Sequence, residues 1–384
     1  MTSDLFNTEH ERRGTSSLKW DKYKDQDILP MWVADMDFQS PPEVIEAMQA
    51  RVAHGIFGYT NAPESLEEVV VERAANLYDW PIQQEWLEWL PGLVCALNIC
   101  VRAYAAEQEF VISPCPVYYP FLTAPGLGNR QMMQIFWRED GDNNWVMDWD
   151  WLEENIHPDT RLFMLCNPQN PNGRVLTLQE LEKLEDFCRR HNLIVCSDEV
   201  HCDLILDRNA QHIPYASISD FARDNSITLM SPSKTFNLAG LGCAYAVIPN
   251  PELKAKFQRT RSGIVPSADS MIMGYAAAEA AYRQGEPWRQ SLLEHLRSNH
   301  DLLMERINNI PGLSMRPHQA TYLAWIHCDL PGITKPQRFF EENGIGLSPG
   351  AQFGGPDYVR LNFGCTRQTL ETALQRMEQA VATL

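Results

Sequence analysis

Between residues 40 and 285, short apolar runs alternate with helix-length amphipathic segments, and this alternation limits what the chain can fold into. Continuous apolar runs of this length are typical of strands that are buried on both faces. Alternating strands and helices favour an α/β fold with a mainly parallel sheet covered on both sides. The predicted strands lie near residues 109–112, 161–166, 193–197, 227–230 and 243–248.

The chain is predicted to form two domains. Its 384 residues are compatible with two units at a prior of about 150 residues per domain. We expect a large α/β domain at residues 45–285 and a smaller α+β domain formed by residues 1–44 and 286–384. The smaller domain is predicted to contain a long helix at 287–310, strands at 320–327 and 357–363, and helices at 335–343 and from 367.

Composition excludes several classes of protein. Hydrophobic residues make up 44% of the chain and charged residues 21%, which excludes a disordered or fibrous protein. The net charge of −18 argues against binding to nucleic acid or to an anionic membrane surface. The N-terminal segment is polar, and no apolar stretch approaches the roughly 18 residues that suggest a membrane span.

The cysteines indicate a reducing compartment. The ten cysteines form no C-x-x-C pair and no Cys/His cluster at zinc spacing, so we expect no metal site. Several of them lie inside apolar runs, where a reduced cysteine packs as a small hydrophobic residue. We therefore expect a cytoplasmic enzyme.

Polar and ionisable residues follow the predicted strands at the point where each strand ends. Segments 167–173, 198–201 and 231–237 each follow an apolar run directly, and Pro91-Gly92-Leu93-Val94 follows a shorter run at 86–90. Ligands bind beyond the carboxyl ends of the strands in α/β sheets. We therefore expect these segments to meet at one site.

Lys234 is the candidate nucleophile. A lysine in a partly desolvated pocket has a lowered pKa and can form a Schiff base with a carbonyl group, whereas the alternative is an ordinary surface lysine. Ser231, Ser233 and a predicted helix start after Lys234 offer hydroxyl and amide groups to an anion. The amides that follow Gly92 offer a second cradle. A reactive lysine beside a phosphate site suggests pyridoxal 5′-phosphate as the cofactor.

Three further residues are candidates for contacts with the cofactor ring. Asp198 could pair with the pyridinium nitrogen and keep it protonated, so that the ring accepts electrons, or it could cap a turn. Asn170 could donate to the phenolate oxygen, although its segment is rich in turn residues. His201 could reach the same oxygen, or it could be an ordinary interior histidine.

Tyr118 and Arg360 complete the candidate site. Tyr118 lies in an aromatic segment and could stack on the pyridine ring, or it could pack in the core. Arg360 lies in a predicted strand and could form a bidentate pair with a substrate carboxylate. The alternative partner for Arg360 is an internal aspartate or glutamate.

Together, these residues resemble the fold-type I pyridoxal-phosphate enzymes related to aspartate aminotransferase. Within that family, the chain is similar to the MalY/PatB group of cystathionine β-lyases and cysteine-conjugate C–S lyases. The resemblance extends in the family's order from residue 30 to residue 365. The matching motifs are Pro30-Met31-Trp32-Val33-Ala34-Asp35-Met36-Asp37-Phe38, Phe57-Gly58-Tyr59-Thr60, Asn170-Pro171-x-Gly173, Ser197-Asp198-Glu199-Val200-His201, Ser231-x-Ser233-Lys234-Thr235-Phe236-Asn237-Leu238-Ala239-Gly240-Leu241, Leu347-Ser348-Pro349-Gly350 and Arg360-Leu361-Asn362.

The resemblance implies a fold-type I architecture, with a mainly parallel sheet of seven strands between helices and a smaller α+β domain. It also implies that the candidate residues surround pyridoxal phosphate. Lys234 would bind the cofactor and move protons, and Asp198 would pair with the ring nitrogen. The remaining cofactor contacts would be Asn170 and His201 on the phenolate side, Tyr118 stacked on the ring, and Leu93, Val94, Ser231 and Ser233 at the phosphate.

The resemblance further implies a homodimer with shared active sites. Tyr59 would reach the cofactor phosphate of the neighbouring subunit. Arg360 would hold the substrate α-carboxylate, helped by Asn170 and the backbone at Ala34. The partner would be a small-molecule amino-acid substrate.

The chain departs from the aspartate aminotransferase pattern at one position that matters. That pattern places an arginine eight residues after the lysine, where it neutralises the phosphate, whereas this chain has Gly242. Glycine here fits the lyase group better but leaves the phosphate without an evident counter-charge. Gln169 and Cys95 also differ from many relatives, and we attach no mechanism to either.

The expected reaction is α,β-elimination on L-cystathionine or a related cysteine S-conjugate, which yields pyruvate, ammonia and a thiol. Transamination of an amino acid with a 2-oxo acid uses the same residues, so their spacing does not separate the two reactions. A third hypothesis, from a different class, is a regulatory protein that acts through a protein partner.

Overall fold

The computed structural model describes residues 5–140, 144–265 and 270–384. The helices are α1 (Pro42–His54), α2 (Glu64–Tyr78), α3 (Leu93–Tyr104), α4 (Tyr119–Leu127), α5 (Trp149–Asn155), α6 (Leu178–Arg190), α7 (Asp220–Asp224), α8 (Pro251–Ile264), α9 (Ile272–Gln284), α10 (Glu286–Ile307), α11 (Pro336–Glu342) and α12 (Arg367–Val381). The strands are β1 (Leu29–Pro30), β2 (Leu87–Leu90), β3 (Phe110–Cys115), β4 (Gln131–Glu139), β5 (Trp145–Met147), β6 (Thr160–Cys166), β7 (Ile194–Asp198), β8 (Ser226–Met230), β9 (Ala244–Val247), β10 (Leu313–Met315), β11 (Leu323–Cys328), β12 (Ile345–Gly346), β13 (Ser348–Pro349) and β14 (Tyr358–Asn362).

The larger sheet confirms the predicted α/β fold. Its strand order is β2-β9-β8-β7-β6-β3-β4-β5, and strands β8, β7, β6, β3 and β4 are parallel to their neighbours in that series. Strand β9 is antiparallel to both β8 and β2. The seven expected strands are joined by an eighth, β5, which pairs antiparallel with the edge strand β4.

Helices cover both faces of this sheet, as the alternation predicts. In β6, Leu162 and Met164 pack into a cluster with α3 and α8, whereas Phe163 and Leu165 pack on the opposite face with α6. Because successive strand residues point to opposite faces, both sets are buried only if each face is covered. Helix α6 begins with a capping box in which Thr177 and the third helical residue bond to each other's backbone amides.

A second, smaller sheet lies beyond the long helix α10. It has the order β10-β11-β14-β13, and every neighbouring pair is antiparallel. The N-terminal segment joins this part of the chain, because β1 pairs in parallel with β12 through Leu29 and Ile345. This pairing supports the predicted grouping of residues 1–44 with 286–384, although the exact division stays a prediction.

Two local predictions are wrong. No helix starts directly after Lys234: residues 232–237 form turns, and a short 3-10 helix begins only at Ala239. The reason is Asn237, whose φ of 57° is left-handed and whose side chain bonds to another segment. The strand predicted from residue 320 begins at Leu323, because Thr321 has a φ of 73°.

No helix in the part of the chain that the structure describes is long and apolar enough to cross a membrane. Within the same ranges, no group of three or more His, Cys, Asp or Glu side chains is arranged to hold a metal ion. All ten cysteines are free, and nine of them are buried.

Candidate active site

The turns at the carboxyl ends of the parallel strands meet at a cavity of about 400 Å³. Strands β6, β7 and β8 lie side by side, so the turns that follow them converge at one edge of the sheet. The opposite wall comes from residues 32–34 and from the smaller sheet. The predicted site residues that line this cavity are Ala34, Leu93, Val94, Tyr118, Asn170, Asp198, His201, Ser231, Ser233, Lys234 and Arg360.

Lys234 projects from the turn after β8 toward the opposite wall. Its Nζ atom donates a hydrogen bond of 2.7 Å to the carbonyl oxygen of Ala34. Burial of the amine, together with the positive charge of Arg360, lowers the pKa of Lys234 to about 8. At pH 7, roughly a tenth of the amine is therefore uncharged, far more than for an ordinary lysine, and this form can act as a nucleophile or base.

Two asparagines hold the backbone that faces Lys234. Asn237 donates to the carbonyl oxygens of Met36 and Phe38, at 3.0 and 2.8 Å, and accepts from the amide of Met36. Asn362, on β14, donates to the carbonyl oxygens on either side of Ala34. These bonds fix the position of the Ala34 carbonyl in the cavity.

Asp198 ends β7 and is almost fully buried, with 4% of its surface exposed. Its Oδ1 atom accepts a hydrogen bond of 3.1 Å from the amide of Val200. Burial raises the pKa of Asp198 to about 7, and the amide bond from Val200 offsets only part of this effect. Such a carboxyl group is ionised at low cost only when a positive charge lies against it.

His201 and Asn170 lie on the same buried wall. Burial lowers the pKa of His201 to about 3, so its ring is neutral at physiological pH, and its Nδ1 atom has no hydrogen-bond partner among the described residues. Asn170 accepts a hydrogen bond of 3.1 Å from Arg360 Nη1 through its side-chain oxygen, Oδ1. Its side-chain nitrogen takes no part in this bond.

Arg360 lies within β14 and is held by oxygen acceptors. Its Nη2 atom donates to the carbonyl oxygen of Trp32 at 2.8 Å and to the hydroxyl of Ser348 at 3.3 Å. Its guanidinium carbon lies 4.5 Å from the ring centre of Phe353. Burial lowers the pKa of Arg360 to about 10, which still leaves it charged. None of these partners is an acid, so the predicted alternative of an internal salt bridge is wrong.

The second of the two predicted anion cradles corresponds to the first turn of α3. Gly92 precedes the helix in an extended conformation, no side chain caps the first amides, and a Cβ added to Gly92 would meet nothing within 4 Å. Ser231 donates to the carbonyl oxygen of Cys243 and accepts from the amide of Ser233. The amides of α3 are therefore open to an anion.

Gly242 approaches this end of the cavity closely. Its φ is 61°, and a Cβ at this position would lie 3.1 Å from the carbonyl oxygen of Pro91. A side chain at residue 242 would thus be strained and crowded. Among the residues that line the cavity, the basic side chains are Lys234, Arg360 and the neutral His201.

Tyr118 and Tyr59 lie in different places. Tyr118 precedes α4 and lines the cavity beside Tyr119, with their ring centres 4.9 Å apart. Tyr59 does not line the cavity of its own chain and is 89% exposed. Its neighbours Ile56 and Phe57 are also exposed, so this apolar segment is uncovered in a single chain.

The residues present fit pyridoxal phosphate. Among the described residues, no cation forms an ion pair with Asp198, which would gain one from a protonated ring nitrogen. Within the same ranges, the buried Nδ1 of His201 has no hydrogen-bond partner, and Gly92 provides no side-chain cap for the first turn of α3, whose amides could hold a phosphate. Lys234 supplies the amine that a carbonyl cofactor needs.

Sequence reasoning missed several residues on the cavity wall. Most are uncharged side chains whose place depends on the tertiary fold rather than on a motif, namely Leu18, Tyr119, Gln352 and Phe353. A signal could have found Ser348, because it lies in the quoted motif Leu347-Ser348-Pro349-Gly350 and pairs with Arg360 across β13 and β14. The same is true of four other lining residues that lie in quoted motifs, namely Trp32, Val33, Val200 and Ala239. Tyr322, whose hydroxyl donates to the Ala34 carbonyl oxygen at 3.0 Å, carried no signal.

Comparison with known proteins identifies the family of the chain. The chain matches the family model of the class I and II aminotransferases over residues 26–377. It is 35% identical over 390 residues to cystathionine β-lyase PatB of Bacillus subtilis (strain 168), with 98% of this chain and 100% of that protein covered.

Solved structures show the same relationship. The chain superposes on the crystal structure of OvoB with a TM-score of 0.96 and 48% sequence identity, covering 99% of each chain. It superposes on cystalysin from Treponema denticola, which contains a pyridoxal 5′-phosphate cofactor, with a TM-score of 0.94 and 28% identity, covering 98% of each chain. The chain therefore belongs to the class I and II aminotransferase family of pyridoxal-phosphate enzymes, and within it to the PatB/MalY group.

Proposed function

We propose that this chain is a pyridoxal-phosphate-dependent C–S lyase that carries out α,β-elimination on L-cystathionine or a related cysteine S-conjugate. One observation carries the proposal. Lys234, Asp198 and Arg360 meet in one cavity of a chain that is 35% identical to a cystathionine β-lyase over nearly its full length. The products are pyruvate, ammonia and a thiol.

Each of these three residues has a separate task. When bound, pyridoxal phosphate supplies an electron-withdrawing ring that stabilises negative charge at the substrate Cα. Lys234 binds the cofactor carbonyl carbon through Nζ, and its freed amine removes the Cα proton. Asp198 balances the positive ring nitrogen, and Arg360 pairs with the substrate α-carboxylate in a bidentate geometry.

The elimination is balanced at the C–S bond. The electron pair of the broken Cα–H bond forms a Cα–Cβ double bond, and the pair of the Cβ–S bond leaves with sulfur. The departing sulfur takes up the proton that Lys234 removed from Cα and is released as the thiol, which returns the lysine to its neutral form. Hydrolysis of the remaining three-carbon enamine gives pyruvate and ammonia. Lys234, with a pKa near 8, is suited to removing a proton at physiological pH.

The phosphate contacts complete the proposal. We assign them to the amides of Leu93 and Val94, to the hydroxyls of Ser231 and Ser233, and to Tyr59 of a second subunit. The exposed segment around Tyr59 supports a homodimer, because it offers apolar side chains for burial and a phenol that does not line the cavity of its own chain. Tyr118 is assigned to stacking on the ring, with Asn170 and His201 at the phenolate oxygen.

We also propose the compartment and the domain division. Ten free cysteines favour a reducing cytoplasm. The large domain would comprise residues 45–285, and the small domain would comprise residues 1–44 and 286–384, which β1 and β12 join.

Pyruvate release from L-cystathionine and from an S-alkyl-L-cysteine, measured with the holoenzyme and no 2-oxo acid, tests the proposed reaction. Sustained pyruvate and thiol in equal amounts is the expected result. If the cofactor is instead converted to its amine form, and an added 2-oxo acid reverses this, the chain is an aminotransferase. Transamination is the reaction for which the matched family is named.

A further inference from the structure

A buried cluster of charged and polar side chains lies behind the turn that carries Lys234. Asp203 is 5% exposed and forms an ion pair of 2.8 Å with Arg73. The hydroxyl of Tyr78 donates to the same carboxylate oxygen, Oδ1. The other oxygen, Oδ2, accepts a hydrogen bond of 3.2 Å from the hydroxyl of Thr235, the residue after Lys234.

This cluster connects two turns of the active site. Asp203 lies in the turn after β7, five residues beyond Asp198, and Thr235 lies in the turn after β8. Arg73 contacts the second turn as well, because its guanidinium carbon lies 5.8 Å from the ring centre of Phe236. The hydrogen bond between Asp203 and Thr235 therefore links the turn after β7, the strand that ends at Asp198, to the turn that contains Lys234.

We infer that Asp203, acting through the Thr235 hydroxyl, is a positioning residue that fixes Lys234 relative to Asp198. The Lys234 amine and the Asp198 carboxylate would both contact the same cofactor ring. The distance between them therefore has to suit that ring. The inference rests on the proposed function, which places the ring between them. A shift of about 1 Å between reacting groups can cost about two orders of magnitude in rate.

The lysine turn needs such support, because no regular hydrogen-bond ladder holds it. Residues 232–237 are neither helix nor strand. On one side of Lys234, the amide of Ser233 donates to Ser231 Oγ at 3.1 Å. On the other side, the amide of Phe236 donates to the carbonyl oxygen of Pro232 at 2.9 Å, Asn237 bonds to residues 36 and 38, and Thr235 bonds to Asp203. The Thr235 bond is the one made to a charged group, and bonds to charged groups are the stronger class.

Two arginines and two acids, Asp203 being one of them, lie together in this cluster, and this arrangement decides which residue is changed in the test. Arg289 donates to the Asp203 carbonyl oxygen and pairs with Glu286, which also lies 3.6 Å from Arg73. Changing Asp203 itself would leave the buried Arg73 without its nearest ion-pair partner and would endanger folding. Removing only the Thr235 hydroxyl leaves the ion pair intact.

The test compares Thr235→Val, Thr235→Ser and the matched control Thr228→Val. Thr228 is equally buried, and its hydroxyl has no hydrogen-bond partner among the described residues. The absorbance of each variant's holoenzyme is measured as a function of pH in the absence of substrate, which gives the pKa of the nitrogen that joins Lys234 to the cofactor. The kcat and KM of each variant are then measured with L-cystathionine.

We expect Thr235→Val to shift this spectroscopic pKa by about half a pH unit or more and to lower kcat about tenfold, with KM changed less than about twofold. Thr235→Ser should restore both values, and Thr228→Val should match the wild type. Wild-type spectra and kcat in Thr235→Val, even with reduced thermal stability, would overturn the inference. A wild-type protein without lysine-bound cofactor absorbance would instead refute the role of Lys234.

Discussion

The two sheets contribute to the active site in different ways. The larger sheet supplies Asp198, Asn170 and Lys234 at the ends of its strands or from the turns that follow them. The smaller sheet supplies Arg360 from the middle of a strand, where Ser348 of the neighbouring strand and the carbonyl oxygen of Trp32 hold its guanidinium. The turns of the larger sheet bring several side chains to one place, where they can contact the cofactor ring. The strand position of Arg360 fixes the orientation of its guanidinium group.

This difference separates cofactor binding from substrate binding. The groups assigned to the cofactor come mostly from the larger sheet, and the group assigned to the substrate carboxylate comes from the smaller one. Variants of the first set should change the cofactor's spectrum or affinity. Variants of Arg360 should leave the cofactor in place and weaken the substrate alone.

The largest effect is expected for Lys234→Ala. The variant loses the amine that binds the cofactor and removes the Cα proton, so we expect turnover to fall by about 10⁴-fold or more. The absorbance of the lysine-bound cofactor should disappear as well. Absorbance spectra and pyruvate release measure both effects, with the exposed Lys256→Ala as the control. A retained band would show that a different lysine binds the cofactor.

Asp198→Asn should have the next largest effect on activity. The amide cannot balance a protonated ring nitrogen, so we expect kcat to fall by about 10³-fold. Initial rates of pyruvate formation check this, and Asp186→Asn on the surface of α6 is the control. Turnover near that of the wild type would contradict the pairing of Asp198 with the ring.

The same variant should be more stable than the wild type in the absence of cofactor. The pKa of Asp198 is about 7 in the folded chain, above its ordinary value of 3.8. Ionising it in the fold therefore costs free energy that increases from pH 3.8 to 7 and is constant above. Thermal unfolding of both apoproteins from pH 5 to 8 should show an advantage for Asp198→Asn that grows with pH. A stability advantage of Asp198→Asn that becomes smaller as the pH rises would contradict this expectation.

Arg360→Lys tests the smaller sheet. Lysine keeps the positive charge but cannot form a bidentate pair, so we expect kcat/KM to fall about 100-fold, mainly through KM. The affinity for pyridoxal phosphate should remain within about twofold of the wild type. Steady-state kinetics and cofactor titration of this variant and of exposed Arg338→Lys measure the contrast. Loss of cofactor in Arg360→Lys would break the division of roles between the two sheets.

Tyr59→Phe should have the smallest effect. Loss of one hydroxyl bond to the phosphate should weaken cofactor affinity by about tenfold or less, while the subunits remain associated. Equilibrium dialysis of pyridoxal phosphate and sedimentation check the two expectations. A wild-type enzyme that is a fully active monomer would remove the proposed role of Tyr59 across a dimer.

The sequence was more informative about the larger sheet than about the smaller one. Residues such as Asp198 and Asn170 directly follow apolar runs, and the rule for α/β sheets places such residues at a common edge. Arg360 was identifiable, but the role of Trp32 was not: Trp32 is 328 residues away along the chain and contributes a backbone oxygen, which no side-chain pattern indicates. The helix start predicted after Lys234 failed because Asn237 adopts a left-handed φ to bond with residues 36 and 38.

Reduction of the holoenzyme with borohydride, followed by peptide mass spectrometry, tests the central assignment most directly. Borohydride converts a carbon–nitrogen double bond between lysine and cofactor into a stable single bond, so the modified lysine keeps the cofactor's mass. We predict that this mass lies on the peptide containing Lys234. The cofactor mass on another lysine, or on none, would contradict the account.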